Sequence, residues 1–97
     1  MKALFVACSQ AYNQEIAQLL EQFGQTGYTV WDSTGGRGSR GGEPHLGSHA
    51  WPAQNQAILS VVDDDKVDPL LEALRKMDGA APNLGLRAFV WDIEKMV

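Results

Sequence analysis

The chain has 97 residues, 44% hydrophobic and 21% charged, with eight Lys and Arg against twelve Asp and Glu for a net charge of −4. That length and composition predict one globular domain, residues 1–97, and exclude a disordered or fibrous chain. The acidic balance speaks against a nucleic-acid binder, which would show a basic face. No apolar run nears the ~18 residues of a membrane span and no basic-then-apolar leader is legible, so a cytoplasmic location without membrane insertion is expected. The single cysteine, Cys8, cannot close an internal disulfide, which suits a reducing compartment.

In chain order, Lys2 to Cys8 reads as a short apolar strand, followed by turn-prone Ser9. A helix is predicted from about Tyr12 to Phe23, because Ile16, Leu19, Leu20 and Phe23 recur on a 3.6-residue period, and Gly24 is placed to end it. Tyr28 to Ser33 is rich in β-formers and makes a second strand. Residues 55–62 contain the apolar run Ala57-Ile58-Leu59-Ser60-Val61-Val62, a third strand stopped by Asp63-Asp64-Asp65. From about Lys66 to Met77 a second helix puts Val67, Leu70, Leu71, Leu74 and Met77 on one face, with Asp65 as expected N-cap and Pro69 tolerated in the first turns. Beyond Gly79 and Pro82, Leu86 to Asp92 makes a fourth strand.

The order βαββαβ predicts an α+β, ferredoxin-like sandwich: a four-stranded antiparallel sheet with both helices on one face. Such a sheet alternates apolar and polar residues when its second face meets water. Here both faces are apolar. Leu4, Val6 and Cys8 stand against Ala3, Phe5 and Ala7; Ala88 and Val90 stand against Phe89 and Trp91. An apolar second face of this size predicts an oligomer that packs its sheets inward.

Residues 33–54 differ from the rest. They hold six of the ten glycines, both histidines, Arg37 and Arg40, and one acid, Glu43. A hairpin needs two to five residues; about 20 without a secondary-structure pattern point to function or disorder. Gly36-Arg37-Gly38-Ser39-Arg40-Gly41 matches G-x-G-x-x-G in letters, but Pro44 follows where a helix should open, so the dinucleotide reading fails. Two readings of the stretch stand: an anion cradle of glycine N–H groups and paired guanidiniums, or a solvated hairpin tip. His45 and His49 lie four apart among glycines and prolines. They stand as divalent-metal ligands, with Glu43 as a third, or as histidines that bond their own loop or contact a subunit. Trp51-Pro52 is expected to anchor the end of the segment. Cys8 has no His or Lys beside it and reads as a core residue. Asp63-Asp64-Asp65 lacks the glycine and distal Glu of a calcium loop. No nucleophile with a base partner is legible, so the chain is not expected to be an enzyme. RNA-recognition motifs share the topology, but the third strand, Asn55 to Val62, carries neither the aromatic nor the basic residues that stack bases.

The short first strand, the insertion between strands 2 and 3, and the ending Gly85-Leu86-Arg87-Ala88-Phe89-Val90-Trp91-Asp92 together resemble the PII-like signalling superfamily across nearly the whole chain. The resemblance implies a homotrimer with its sheets facing inward, and it makes residues 33–54 the T-loop. It also implies a small-molecule effector, an adenine nucleotide or a similar anionic metabolite, bound at clefts between subunits. Signalling would pass through that loop to a regulated transporter or enzyme. The expected effector-binding residues are Gly35, Gly36, Arg37, Gly38, Arg40 and Arg87, the last matching the family's basic residue on the final strand. The loop has no Tyr to be modified, and the segment before the last strand, 78–85, is shorter than the family's phosphate clasp and lacks its lysine. CutA-like trimers share the fold and are linked to divalent metals, so His45 and His49 carry the alternative reading.

Overall fold

The computed structural model describes residues 1–36 and 54–97. Strand β1 (Lys2–Ser9) leads through a 3-10 turn (Gln10–Tyr12) into helix α1 (Asn13–Gln22). Strand β2 (Tyr28–Thr34) and strand β3 (Asn55–Val62) follow. Another 3-10 turn (Asp64–Lys66) opens helix α2 (Val67–Ala80), and a third (Pro82–Leu84) precedes strand β4 (Arg87–Asp92). The strands form one antiparallel sheet in the order β2-β3-β1-β4. This is the ferredoxin-like arrangement expected from the order of elements. Among the described residues no helix is long and apolar enough to cross a membrane.

Local chemistry explains most of the boundaries. The Ser9 hydroxyl accepts from the Ala11 N–H at 3.2 Å and starts the turn into α1. Gly24 takes φ +72° and donates its N–H to the Glu21 carbonyl, which ends α1 where the sequence indicated. Three expectations need correcting. Asp65 is not the N-cap of α2: it sits inside the preceding 3-10 turn, Asp63 caps that turn, and Lys66 occupies the cap of α2. The second helix does not end near Met77 but runs through Gly79 to Ala80, because a glycine only weakens a helix whereas Pro82 bars its continuation. Finally, β2 extends through Thr34 rather than ending at Ser33, so the connection to β3 spans 35–54.

The core lies between the helices and one sheet face. Leu4, Val6 and Cys8 of β1 and Ile58 and Val62 of β3 meet Ile16 and Leu20 of α1 and Leu70 and Leu74 of α2. Leu19, Phe23, Val67, Leu71 and Met77 pack around the edge of this cluster, so both predicted helical stripes face the sheet. Buried Gln25 closes the far end: its Oε1 accepts from the Asp63 N–H at 2.9 Å, and its Nε2 donates to the Asp63 carboxylate at 3.2 Å. At the other end, the Tyr12 hydroxyl donates to the Met77 carbonyl at 3.3 Å and pins the last turns of α2 to the start of α1.

Among the described residues no helix lies on the opposite sheet face. Register places Phe5 between Leu59 and Phe89, and Ala3 between Val61 and Trp91. Phe89 is 55% exposed, Trp91 49% and Trp31 46%. The two-sided apolar pattern read from the sequence is therefore present, with one side covered and the other bare.

Candidate functional site

On the bare face, at the end of the sheet from which residues 35–54 depart, the chain forms an open cleft of about 580 Å³. That volume falls within the range of small-molecule sites, roughly 300–1,000 Å³. Phe5 and Ala7 of β1, Ala57 of β3 and Phe89 of β4 give it an apolar floor, and Trp31 of β2 stands at its side. Thr34, Gly35, Gly36, Asn55 and Arg87 supply polar and backbone groups at the rim. Of the expected effector residues, Gly35, Gly36 and Arg87 are thus brought to one place from positions some 50 apart in the chain. Arg37, Gly38, Arg40, His45 and His49, with Trp51, lie outside the described residues. Nothing in the structure bears on the divalent-metal alternative for the two histidines. Among the described residues, no three His, Cys, Asp or Glu side chains converge.

Thr34 reaches the cleft because β2 is irregular. Trp31 pairs with Ala57, but Thr34 pairs with Asn55, so three steps along β2 match two along β3. The extra residue is a β-bulge, and it turns Thr34 to the same face as Trp31. In a regular strand those two residues would point to opposite faces. The irregularity centres on Ser33, whose φ of +58° is the left-handed region that non-glycine residues rarely enter. Gln10 steadies this corner: its Nε2 donates to the Ser33 hydroxyl at 3.1 Å, and its backbone N–H donates to the Gln54 carbonyl at 3.0 Å. Both ends of the 35–54 connection are thereby tied to the end of β1. Gly36 lies so close to the Asn55 side chain that a Cβ there would stand 2.8 Å from Asn55 Nδ2. Any larger residue there would have to displace the Asn55 amide.

Arg87 crosses from the cleft toward the helices. Its Nη1 donates to the Leu86 carbonyl at 2.7 Å and to Asp78 Oδ2 at 3.3 Å. Asp78 stands in the last turn of α2, beside the Met77 carbonyl held by Tyr12. Cys8 and Gln56 lie nearby at the covered side of the sheet. The Gln56 amide donates to Cys8 Sγ at 3.6 Å, and both residues are fully buried. Burial pushes the Cys8 thiol pKa above its ordinary value, outweighing the Gln56 contact. The thiol is therefore a neutral core group, as the sequence indicated.

Sequence reasoning missed Phe5, Trp31, Thr34, Asn55 and Phe89 as cleft residues, and Asp78 as the partner of Arg87. The aromatic residues were legible as an apolar face, without a sign that the cleft would open on it. Thr34 had no signal, because Asp32-Ser33-Thr34 contains no glycine to announce a bulge.

The model of the family "Nitrogen regulatory protein P-II" matches residues 1–97. No curated protein is significantly similar to the chain. Among solved structures, CPII from Thiomonas intermedia, a nitrogen regulatory PII-like protein bound to ADP, AMP and bicarbonate, superimposes with a TM-score of 0.78. It is 28% identical, and the match covers 95% of this chain and 84% of that one. A second CPII structure, bound to ADP and bicarbonate, gives a TM-score of 0.77 at 28% identity with the same coverage. A PII-like signalling protein from Thermus thermophilus shares the fold, with a TM-score of 0.67 at 20% identity over 95% of this chain and 85% of that one.

Proposed function

This chain belongs to the nitrogen regulatory protein P-II family, and from that premise we propose that it is a homotrimeric regulatory protein, not an enzyme, that senses a small anionic effector. The effector is an adenine nucleotide or a similar anionic metabolite, bicarbonate included. It binds in the cleft at the root of residues 35–54, and that segment reports occupancy to a regulated transporter or enzyme in the cytoplasm. One observation carries the reading: the bulged end of β2 and the start of β4 bring Gly35, Gly36 and Arg87 to one apolar-floored cleft. The similarity to CPII, a protein bound to ADP, AMP and bicarbonate, supports the choice of ligand class.

Each part has a physical role. The apolar floor of Phe5, Ala57 and Phe89, with Trp31 beside it, suits a purine ring. Backbone N–H groups at Gly35 and Gly36, approached closely because they lack a Cβ, suit oxyanion oxygens. Arg87 supplies the cation, and Arg37, Gly38 and Arg40, next after Gly36 in the chain, add charge and donors. Affinity depends strongly on the guanidiniums, whose charge-assisted hydrogen bonds hold the anion. In the homotrimer, neighbouring copies cover the bare face, and the cleft becomes a boundary between subunits.

Calorimetry with ADP, AMP and bicarbonate tests this reading. Charge-assisted hydrogen bonds of about 1.5–3 kcal/mol predict that Arg87→Ala weakens the bound anion tenfold or more. Arg87→Lys should restore only part of the loss, because the fork is gone. Unchanged affinity in Arg87→Ala would move the site elsewhere.

A further inference from the structure

Resting on the effector cleft proposed above, we infer that Asp78 is a positioning residue for that cleft: it anchors one end of the Arg87 guanidinium so that the other edge is presented to a ligand oxyanion. A guanidinium has five N–H donors. On Nη1 both are engaged, one with Asp78 Oδ2 and one with the Leu86 carbonyl. The Nε–H and the two Nη2–H groups have no partner among the described residues. Together they form one side of the fork, the side that takes two oxygens of a phosphate or carbonate at once. Arg87 lines the cleft, whereas Asp78 does not. The carboxylate therefore stands behind the cation it holds.

The opposite role, a competitor that Arg87 must leave before the ligand binds, fits the surroundings of Asp78 less well. Asp78 sits in the last turn of α2, where the helix dipole disfavours a negative charge. Its Oδ1 is buried with no hydrogen-bond partner among the described residues, and its side chain is 30% exposed. Arg87 is the one cation bonded to it among the described residues. Release of Arg87 would leave a part-buried carboxylate unbalanced, which is the costly outcome. Retention costs nothing, because the free edge already suffices for a bidentate contact. The Tyr12 hydroxyl on the Met77 carbonyl fixes the turn that carries Asp78, so the anchor itself is held. An untethered arginine on an edge strand would lose many rotamers on binding; here that loss is met during folding.

Calorimetry on the full chain with ADP, adenosine and bicarbonate distinguishes the outcomes. Asp78→Ala should weaken, about tenfold, whichever oxyanion sits on the free edge, ADP or bicarbonate, and leave adenosine unchanged. Asp78→Asn keeps an accepting oxygen and should lose only two- to threefold; it carries the test if the alanine variant fails to fold. In an Arg87→Ala background, removing Asp78 should add nothing. Nitrogen-detected NMR of the Arg87 side chain should show its guanidinium ordered in the free protein and averaged in Asp78→Ala. If both oxyanions bind Asp78→Ala as well as or better than the unaltered protein, the inference falls and the cleft stands. An equal loss for adenosine would also overturn it, as a purely structural effect. Failure of the unaltered protein to bind either ADP or bicarbonate would overturn the cleft reading itself, and the inference with it.

Discussion

The two faces of this sheet are built from nearly the same kinds of residue and meet opposite surroundings. On one, Leu4, Val6, Ile58 and Val62 are at most 2% exposed beneath the two helices. On the other, Phe5, Leu59, Phe89 and Trp91 line a surface with no element over it among the described residues, and Phe89 is 55% exposed. Alternation normally tells the wet face of an antiparallel sheet from the dry one. When both are apolar, the pattern instead says that the second face is kept for a contact outside the chain's own fold. The polar groups confirm the division of labour. On the covered side they serve the fold, as Gln25 does with Asp63 and Tyr12 with Met77. Around the cleft on the bare side, Arg87 has donors left without a partner among the described residues.

The largest expected effects come from cutting into each face in turn. Leu70 is fully buried under the covered face. Leu70→Ala should cost about 2–5 kcal/mol in urea unfolding, the loss of transfer energy plus a cavity. Phe89→Asp, on the bare face, should leave the helical circular dichroism intact and raise the dissociation constant of the proposed trimer about a hundredfold or more, since a charge would be buried against a neighbouring copy. Light scattering across a dilution series reads the difference. A stable monomer of the unaltered protein at micromolar concentration would break the comparison, because the bare face would then have no occupant.

A smaller effect concerns protons. Burial raises the pKa of the Cys8 thiol above 9.0 and that of the Tyr12 phenol above 10.0, with Glu15 and Asp78 adding to the latter. Both groups hold their protons more tightly folded than unfolded. Their contribution to stability is therefore fully present below the unfolded pKa and is lost as pH rises through the folded value. Denaturation midpoints should be level through neutral pH and fall at alkaline pH. Cys8→Ala should remove the earlier part of that fall and leave the later part. A decline that begins below pH 8 would point to another group.

How much of this could be read from the residues depends on whether the signal was local. All four strands and both helices were legible, because Ile16, Leu20, Leu70 and Leu74 repeat on a helical period and the strands do not. So was the two-sided sheet. Boundaries set by competition were less legible: the second helix was expected to end near Met77, but it runs to Ala80, just short of Pro82. The candidate site was half visible. Gly35 and Gly36 stood out by type and Arg87 by its match to the family's last strand, and the fold brings them together. Asp78 was read only as the start of the segment before the last strand, because its pairing with Arg87 depends on how α2 meets the start of β4. Thr34 was hidden by a bulge that no glycine marks.

That bulge supplies the smallest effect and the sharpest test of how the bare face acquires its cleft. Ser33 holds φ +58°, a conformation that costs a non-glycine residue about 1–2 kcal/mol. Glycine would remove that strain, but it brings about 0.5–1 kcal/mol of extra unfolded-state freedom and forfeits the exposed Gln10 contact, worth roughly 0.5 kcal/mol. These nearly cancel, so Ser33→Gly should change stability by less than about 0.5 kcal/mol. Ser33→Val brings no such relief: a β-branched side chain is a poor tenant of the left-handed region, and about 1–2 kcal/mol should be lost. The more telling readout is register. If valine forces β2 back to regular pairing, Thr34 leaves the cleft face, and backbone amide shifts should move at Thr34, Gly35, Gly36 and Asn55 while Ile58 and Val62 on the covered face stay put. Equal stability for the glycine and valine variants, with no shifts at the loop root, would mean that the bulge is not held by Ser33, and that the asymmetry between the two faces arises elsewhere.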